Sequence, residues 1–226
     1  MATQPEPKTV TRARLSRERV LRAAVALADE GGIQALSMRR LARELGVEAM
    51  SLYNHVANKD DILEGMLDII TGEIEVPAEG TDWKEALRRS AISAYETFVR
   101  HQWACSLMHA TPRISDARML WMEGVLRTLR EAGFSADLTH HAYHALDSHI
   151  TGFTLWLVSM PFDSHEELLD LAKAFLPQIS ADEYPYVIEH AQQHLAGPSP
   201  DEPSEFEFGL DLILDGLERL RDAEPN

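Results

Sequence analysis

The chain has 226 residues, 45% hydrophobic and 26% charged, enough for one large domain or a small domain beside a larger one with a substantial core. Its single cysteine, Cys105, rules out an internal disulfide framework and a Cys-based zinc site, and no apolar run reaches the length of a signal sequence or a membrane span, so a cytoplasmic protein without membrane contact is expected. The formal net charge of −16 argues on average against a polyanion partner, yet residues 1–59 carry 10 basic against 6 acidic side chains and residues 60–226 carry 11 against 31, an asymmetry suited to a chain of which one part meets phosphates.

Residues 1–14 are polar, contain two prolines and end in Arg12 and Arg14, which reads as a flexible basic arm. Ser16 stands where an N-cap is needed, followed by Val20, Leu21, Ala24, Leu27 and Ala28 at helical spacing, and Gly31-Gly32 ends the helix. Ser37 caps a short second helix whose inner face is Leu41, Ala42 and Leu45, and Gly46 ends it. A third short segment covers 48–55. Asn58 caps a fourth helix over 59–75, buried through Ile62, Leu63, Met66, Leu67 and Ile70.

Residues 77–80 form a linker, beyond which the pattern predicts helices over 82–101, 115–131, 137–160 and 165–175. A short turn falls near 104–110, a weaker helix over 182–195, a loop over 197–203 and a last helix over 204–221. No strand pattern and no internal repeat is visible. The expected fold is all-α, with a three-helix N-terminal unit (15–58), a connecting helix (59–76) and a helical body (77–226).

Residues 37–55, SMRRLARELGVEAMSLYNH, are two short helices joined by a Gly-containing turn. That is the helix-turn-helix arrangement, whose second helix enters a major groove, although a solvated helical hairpin shares the pattern. The flanks extend the match. Residues 15–67 hold, in order, a helix ending in Glu-Gly-Gly, then Ala-Leu-Ser-Met-Arg, Leu-Ala-Arg-Glu-Leu-Gly-Val, Ser-Leu-Tyr-Asn-His-Val and Asn-Lys-Asp. This string resembles the N-terminal domain of the TetR family of bacterial transcriptional regulators, and Val-Pro-Ala-Glu-Gly-Thr-Asp-Trp at 76–83 is similar to its tetracycline-repressor branch.

The resemblance implies DNA-contact roles for Ser37, Met38 and Arg39 in the second helix, with Arg39 reaching a guanine edge or a phosphate. It implies groove-facing roles for Glu48, Ala49, Met50 and Ser51, of which Met50 and Ala49 can touch a thymine methyl, and phosphate-clamp roles for Tyr53, His55 and Lys59. Arg12 and Arg14 are candidates for an adjacent minor groove; Arg40 and Arg43 stay open between DNA and solvent. A recognition helix so short of long polar readers places specificity on Arg39, Ser51 and DNA shape.

All four tryptophans (Trp83, Trp103, Trp121, Trp156) lie between 83 and 160 among methionines and other aromatics. Plain core and ligand wall both fit that composition; the resemblance implies a small-molecule cavity, for which the candidates are Trp103, Met108, Trp121, His149, Phe153 and Trp156. His140 and His144, like His190 and His194, are four apart on one helix face, a spacing that binds metal only with ligands from elsewhere. No HExxH motif or third ligand is visible, so neither metal nor cofactor is expected, and His144 and His149 read as inner neutral hydrogen-bonding groups. The family's metal-binding turn has a His three residues before a Thr. Here Met108 precedes Thr111, and no acid stands near 155–158, which argues against a metal–tetracycline complex and for an apolar or aromatic ligand.

Phe206, Leu210, Ile213 and Leu217, continued by Leu220, repeat at alternating spacings of four and three residues. They face either a neighbouring helix of the same subunit or, as the family implies, a partner in a four-helix dimer bundle with 137–160. The expected function is a dimeric repressor of a palindromic operator, released by a small molecule. A regulator without an effector and a His/Asp-based metal-dependent hydrolase are the alternatives; the hydrolase lacks a nucleophile motif and a coherent ligand set.

Overall fold

The computed structural model describes residues 14–111, 113–160, 165–196 and 203–224. The arm with Arg12 and most of the 197–203 loop lie outside them, and Arg14 is exposed. Among the described residues the secondary structure is entirely helical.

The head follows its caps. In α1 (Arg17–Gly31) Ser16 Oγ accepts from the Arg19 N–H, and Gly32 leaves the helix at φ +73°. In α2 (Met38–Leu45) Ser37 Oγ accepts from the Arg40 N–H, and Gly46 sits in the left-handed region at φ +65°, which L side chains adopt at a cost. The third segment is shorter than its 48–55 pattern. α3 (Ala49–Leu52) is a single turn after which Asn54 and His55 donate to carbonyls three residues back, so the chain tightens instead of continuing as α-helix. In α4 (Lys59–Thr71) Asn58 Oδ1 caps the Asp61 N–H; the helix stops four residues before the expected Glu75, as Gly72 leads out of it.

The body consists of α5 (Trp83–Arg100), α6 (Gln102–Ala110), α7 (Asp116–Glu131), α8 (Ala136–Val158), α9 (His165–Phe175), α10 (Pro185–Ala196) and α11 (Glu205–Ala223). α6 is a nine-residue helix where the sequence suggests only a turn; His101, at φ −117° and ψ 63°, breaks it from α5. α5, α7, α8 and α11 pack on one another, and α4 packs on α1 at one side and on α5, α6 and α7 at the other. At Gly65 the α4 backbone lies so close to α1 that a Cβ there would stand 2.6 Å from a Leu21 methyl. A single buried cluster runs from Val20 in α1 to Leu217 in α11, so the two units share one core.

The stripe on α11 resolves against its inter-subunit reading. Phe206, Leu210 and Leu217 are buried inside the subunit and Ile213 is partly buried, all packed into this shared core. Phe206 stacks on Tyr95 of α5 with ring centroids 4.0 Å apart. Alternating spacing shows that a helix is covered along that line; it carries no information on which chain covers it. The acidic side of α11 is partly neutralised by α5: Lys84 pairs with Asp215 and Glu218, and Arg88 with Glu207 and Asp211.

Arg17 holds α1 to the start of α4 through two hydrogen bonds to the Asp61 carboxylate, 2.6 and 2.8 Å, and the Ala57 N–H donates to the same group. The Arg17 hydrogen bonds, opposed by partial burial and helped by Ala57, hold the Asp61 carboxyl below the usual range. A depressed carboxyl stabilises the fold above its unfolded pKa of about 3.9 and loses that contribution as pH falls through the folded value. Both side chains remain solvent-accessible, so the pair is worth at most about 1 kcal/mol. Urea unfolding of Asp61→Asn is expected to show a small deficit at pH 7 that disappears as the pH falls through the lowered folded-state pKa of Asp61; a deficit unchanged by pH refutes the pairing.

Candidate nucleic-acid interface and ligand cavities

The head presents its candidate contact residues unequally. Met50 is 75% exposed and Tyr53 48%, while Arg39, Glu48 and Lys59 are also exposed. Ser51 and His55 are partly buried, and the Arg17 guanidinium donates to the His55 carbonyl at 3.3 Å. Met38 and Ala49 are partly buried and pack against the core, so they support the reading surface more than they form it. Ser37 spends its oxygen as the α2 cap. Lys59 is the first residue of α4, where free backbone N–H groups favour an anion, and Lys59 adds a cation to that end. Among the described residues Arg39 makes no ion pair, which leaves its guanidinium free for a guanine edge or a phosphate. Arg43 is exposed, whereas Arg40 is partly buried with its guanidinium beside Gly31.

The six cavity candidates do not converge on one chamber. Trp103 belongs to the joint between head and body: its indole N–H donates to Asp29 Oδ1 of α1 at 2.7 Å, and His101 Nδ1 lies 2.8 Å from the same oxygen. His101 Nε2 faces Glu73 at 3.5 Å. Met108 lines a polar cleft of about 260 Å³ between α4 and the α6–α7 turn, with Asp68, Thr71, Arg113 and Arg118. Trp121 donates its N–H to Ser90 Oγ at 3.0 Å and walls a small void between α5, α7 and α8. Phe153 and Trp156 line an apolar groove of about 210 Å³ with Tyr95, Leu157, Met160 and Phe206. His149 stacks on Phe206 and donates from Nε2 to its carbonyl at 2.9 Å.

His144, by contrast, is exposed, with His140 beside it at a ring separation of 4.7 Å. Among the described residues no three His, Cys, Asp or Glu side chains gather to hold a metal. Burial first, then Asp147, push the Cys105 thiol up to about 11, which leaves it protonated at neutral pH and a poor nucleophile. The joint made by Asp29, His101 and Trp103, and the Arg17–Asp61 pair, escaped the sequence reading. Their partners lie 44 to 74 residues apart and no local pattern links them.

Three surfaces leave apolar groups uncovered. On α11 Phe208 (60%) and Leu212 (56%) face outward beside the buried stripe, and on α8 Leu155, Trp156 and Leu157 do the same. No described residue of α9 or α10 is buried, and Leu171, Phe175, Tyr186 and Val187 are at least half exposed. No helix among the described residues is long and apolar enough to cross a membrane.

Comparison with known proteins gives two family matches. Residues 20–66 match the model described as bacterial regulatory proteins, tetR family, and residues 76–221 match the tetracyclin repressor-like C-terminal domain. The chain is 34% identical to the HTH-type transcriptional repressor DrrR1 of Streptomyces coeruleorubidus over 91% of this chain and 78% of the relative. It is 30% identical to the class C tetracycline repressor protein of Escherichia coli over 92% and 93% of the respective chains. The structure of ActR from Streptomyces coelicolor in complex with actinorhodin superposes with a TM-score of 0.73 at 30% identity, covering 91% of this chain and 96% of that one.

Proposed function

Because the chain belongs to the TetR family of DNA-binding transcriptional repressors, which are regulators and not enzymes, we propose that it works as a homodimer on a palindromic operator in the cytoplasm and is released by an apolar or aromatic small molecule. One helix-turn-helix makes few base contacts, and two related by a two-fold axis read successive major grooves. The outward apolar residues of α8 and α11 support the dimer: a second copy covers them in a four-helix bundle. α9 and α10, of which no described residue is fully buried, add surface to the same assembly.

The observation that carries the regulatory reading is the position of α4, packed on α1 of the head and on α5, α6 and α7 of the body. A ligand that favours one packing of the body shifts α4 and with it the spacing of the two heads, provided it binds the two states with different affinity. The aromatic groove at Tyr95, Phe153, Trp156 and Phe206 and the cleft at Met108 supply the volume, and the actinorhodin complex of ActR supports an effector in the body.

The test is selection of DNA from random and genomic fragments by the purified protein at two salt concentrations. One palindromic motif retained at moderate salt is the expected result. Binding that is salt-labile and indifferent to sequence overturns the operator reading.

A further inference from the structure

The head meets the body along two routes. One is α4, which packs on α1 and on α5, α6 and α7, and whose first turn the Arg17–Asp61 pair ties to α1. The other bypasses α4. Asp29, in the last turn of α1, takes two donors on one carboxylate oxygen: the Trp103 indole N–H at 2.7 Å and His101 Nδ1 at 2.8 Å. A carboxylate oxygen only accepts, so Nδ1 is the donor. His101 separates α5 from α6, and its Nε2 lies 3.5 Å from Glu73, just past the end of α4, as does the Arg100 guanidinium. The ends of α1 and α4 therefore meet at the α5–α6 junction.

The two routes constrain the head differently. Apolar packing along α4 is non-directional and permits small swings, whereas two hydrogen bonds converging on one oxygen fix an angle. Trp103 is buried in the shared core and the His101 side chain is only 12% exposed, so both donors are fixed to the body. α2 packs on α1 and α3 on α2, so α1 is the arm that carries the reading surface. From Asp29 to Arg17 that arm is roughly 18 Å long. A swing of about 10° displaces its far end by about 3 Å, close to the rise of one base pair, about 3.4 Å. In a two-fold dimer both heads swing, and the separation of the reading helices changes by up to about two base pairs.

We propose that Asp29 is a positioning residue for operator recognition: by fixing the angle of the head through Trp103 and His101, it sets the half-site spacing that the dimer accepts. It reads no base, since its carboxylate is taken by donors of the body. The inference rests on the reading of a dimer on a palindrome and adds the residue that sets the spacing.

The test starts from the palindrome selected by the full-length wild-type protein and varies only the spacer between half-sites, one base pair at a time in each direction. Wild type is expected to lose at least about 30-fold in affinity one base pair from the optimum, because only one head is then in register. Asp29→Ala, at an exposed helical position that alanine suits, is expected to lose less than about threefold there, with the same half-site bases and a melting temperature within about 5 °C of wild type. Trp103→Phe keeps a ring and removes the donor, and is expected to relax the spacing in the same way. Asp29→Asn keeps an accepting oxygen and is expected to stay close to wild type. A wild-type spacer profile in Asp29→Ala overturns the assignment. An affinity lowered by one factor at every spacing overturns it as well, being the mark of a merely structural role. A wild type as tolerant of spacing as Asp29→Ala sinks the inference while the operator reading stands. If wild type selects no palindrome, the operator reading falls and the inference with it.

Discussion

Leu212→Arg is expected to yield a folded monomer that no longer binds its operator stably, whereas Leu217→Arg is expected to unfold the protein. The two residues stand five apart on α11 and differ in burial: Leu212 is 56% exposed and Leu217 only 6%. A guanidinium at 217 is forced into the core beside α5 and α8 without a partner, a cost of several kcal/mol that a marginally stable domain does not survive. At 212 the same group meets only solvent in the isolated subunit, and its charge is buried only when a second copy covers this side of α11. Light scattering, circular dichroism and operator binding separate the outcomes. Loss of the second half-site lowers affinity by about 10²- to 10⁴-fold, because the second head otherwise binds at high effective concentration. A Leu212→Arg protein that stays dimeric refutes the placement of the interface on the Phe208–Leu212 face.

That contrast also marks how far the sequence could be read. The caps Ser16, Ser37 and Asn58 are local chemistry, each bonding an N–H three residues on, and the helices they start fall where the sequence places them. The Phe206–Leu217 stripe is periodic and its helix is real, yet periodicity is blind to whether the covering helix belongs to the same chain. Phe208 and Leu212 lie off the stripe, and a lone exposed apolar residue is ordinary in a sequence; which side of α11 stays open is set by α5 and α8 packing on the other.

The ligand candidates scattered for a related reason. Aromatic composition marks a region, but Trp103 is claimed by Asp29, 74 positions earlier, and Trp121 by Ser90, 31 positions earlier, and neither pairing has a local signature. Asp147 has no local signature either. Its position on the wall of a cavity depends on α5 and α7 arriving from elsewhere in the chain.

Arg39→Ala is expected to lower operator affinity by about 30-fold or more and to relax preference at one base of each half-site, while Lys59→Ala weakens binding evenly across sequences. The difference follows from what each side chain can reach. Arg39 stands exposed in the first turn of α2 with no carboxylate partner among the described residues, so its planar fork is available for two parallel hydrogen bonds to a guanine. Such a pair is worth about 1–3 kcal/mol, and a symmetric dimer loses it twice, about 2–6 kcal/mol in total. Lys59, at the N-terminus of α4, is a point charge suited to phosphate, which orients the protein without distinguishing bases. Removing it from both subunits should reduce the slope of log affinity against log salt by about two, since each phosphate contact contributes about one counterion. Arg39→Ala should alter base preference if it reads an edge, and only the salt slope if it sits on phosphate. Met50, 75% exposed on α3, donates nothing, so the base preference left in Arg39→Ala comes from Ser51, thymine methyl contact and DNA shape. A binding-site selection repeated with Arg39→Ala that returns an unchanged motif at unchanged affinity removes this residue from the reading surface and leaves recognition to α3 alone.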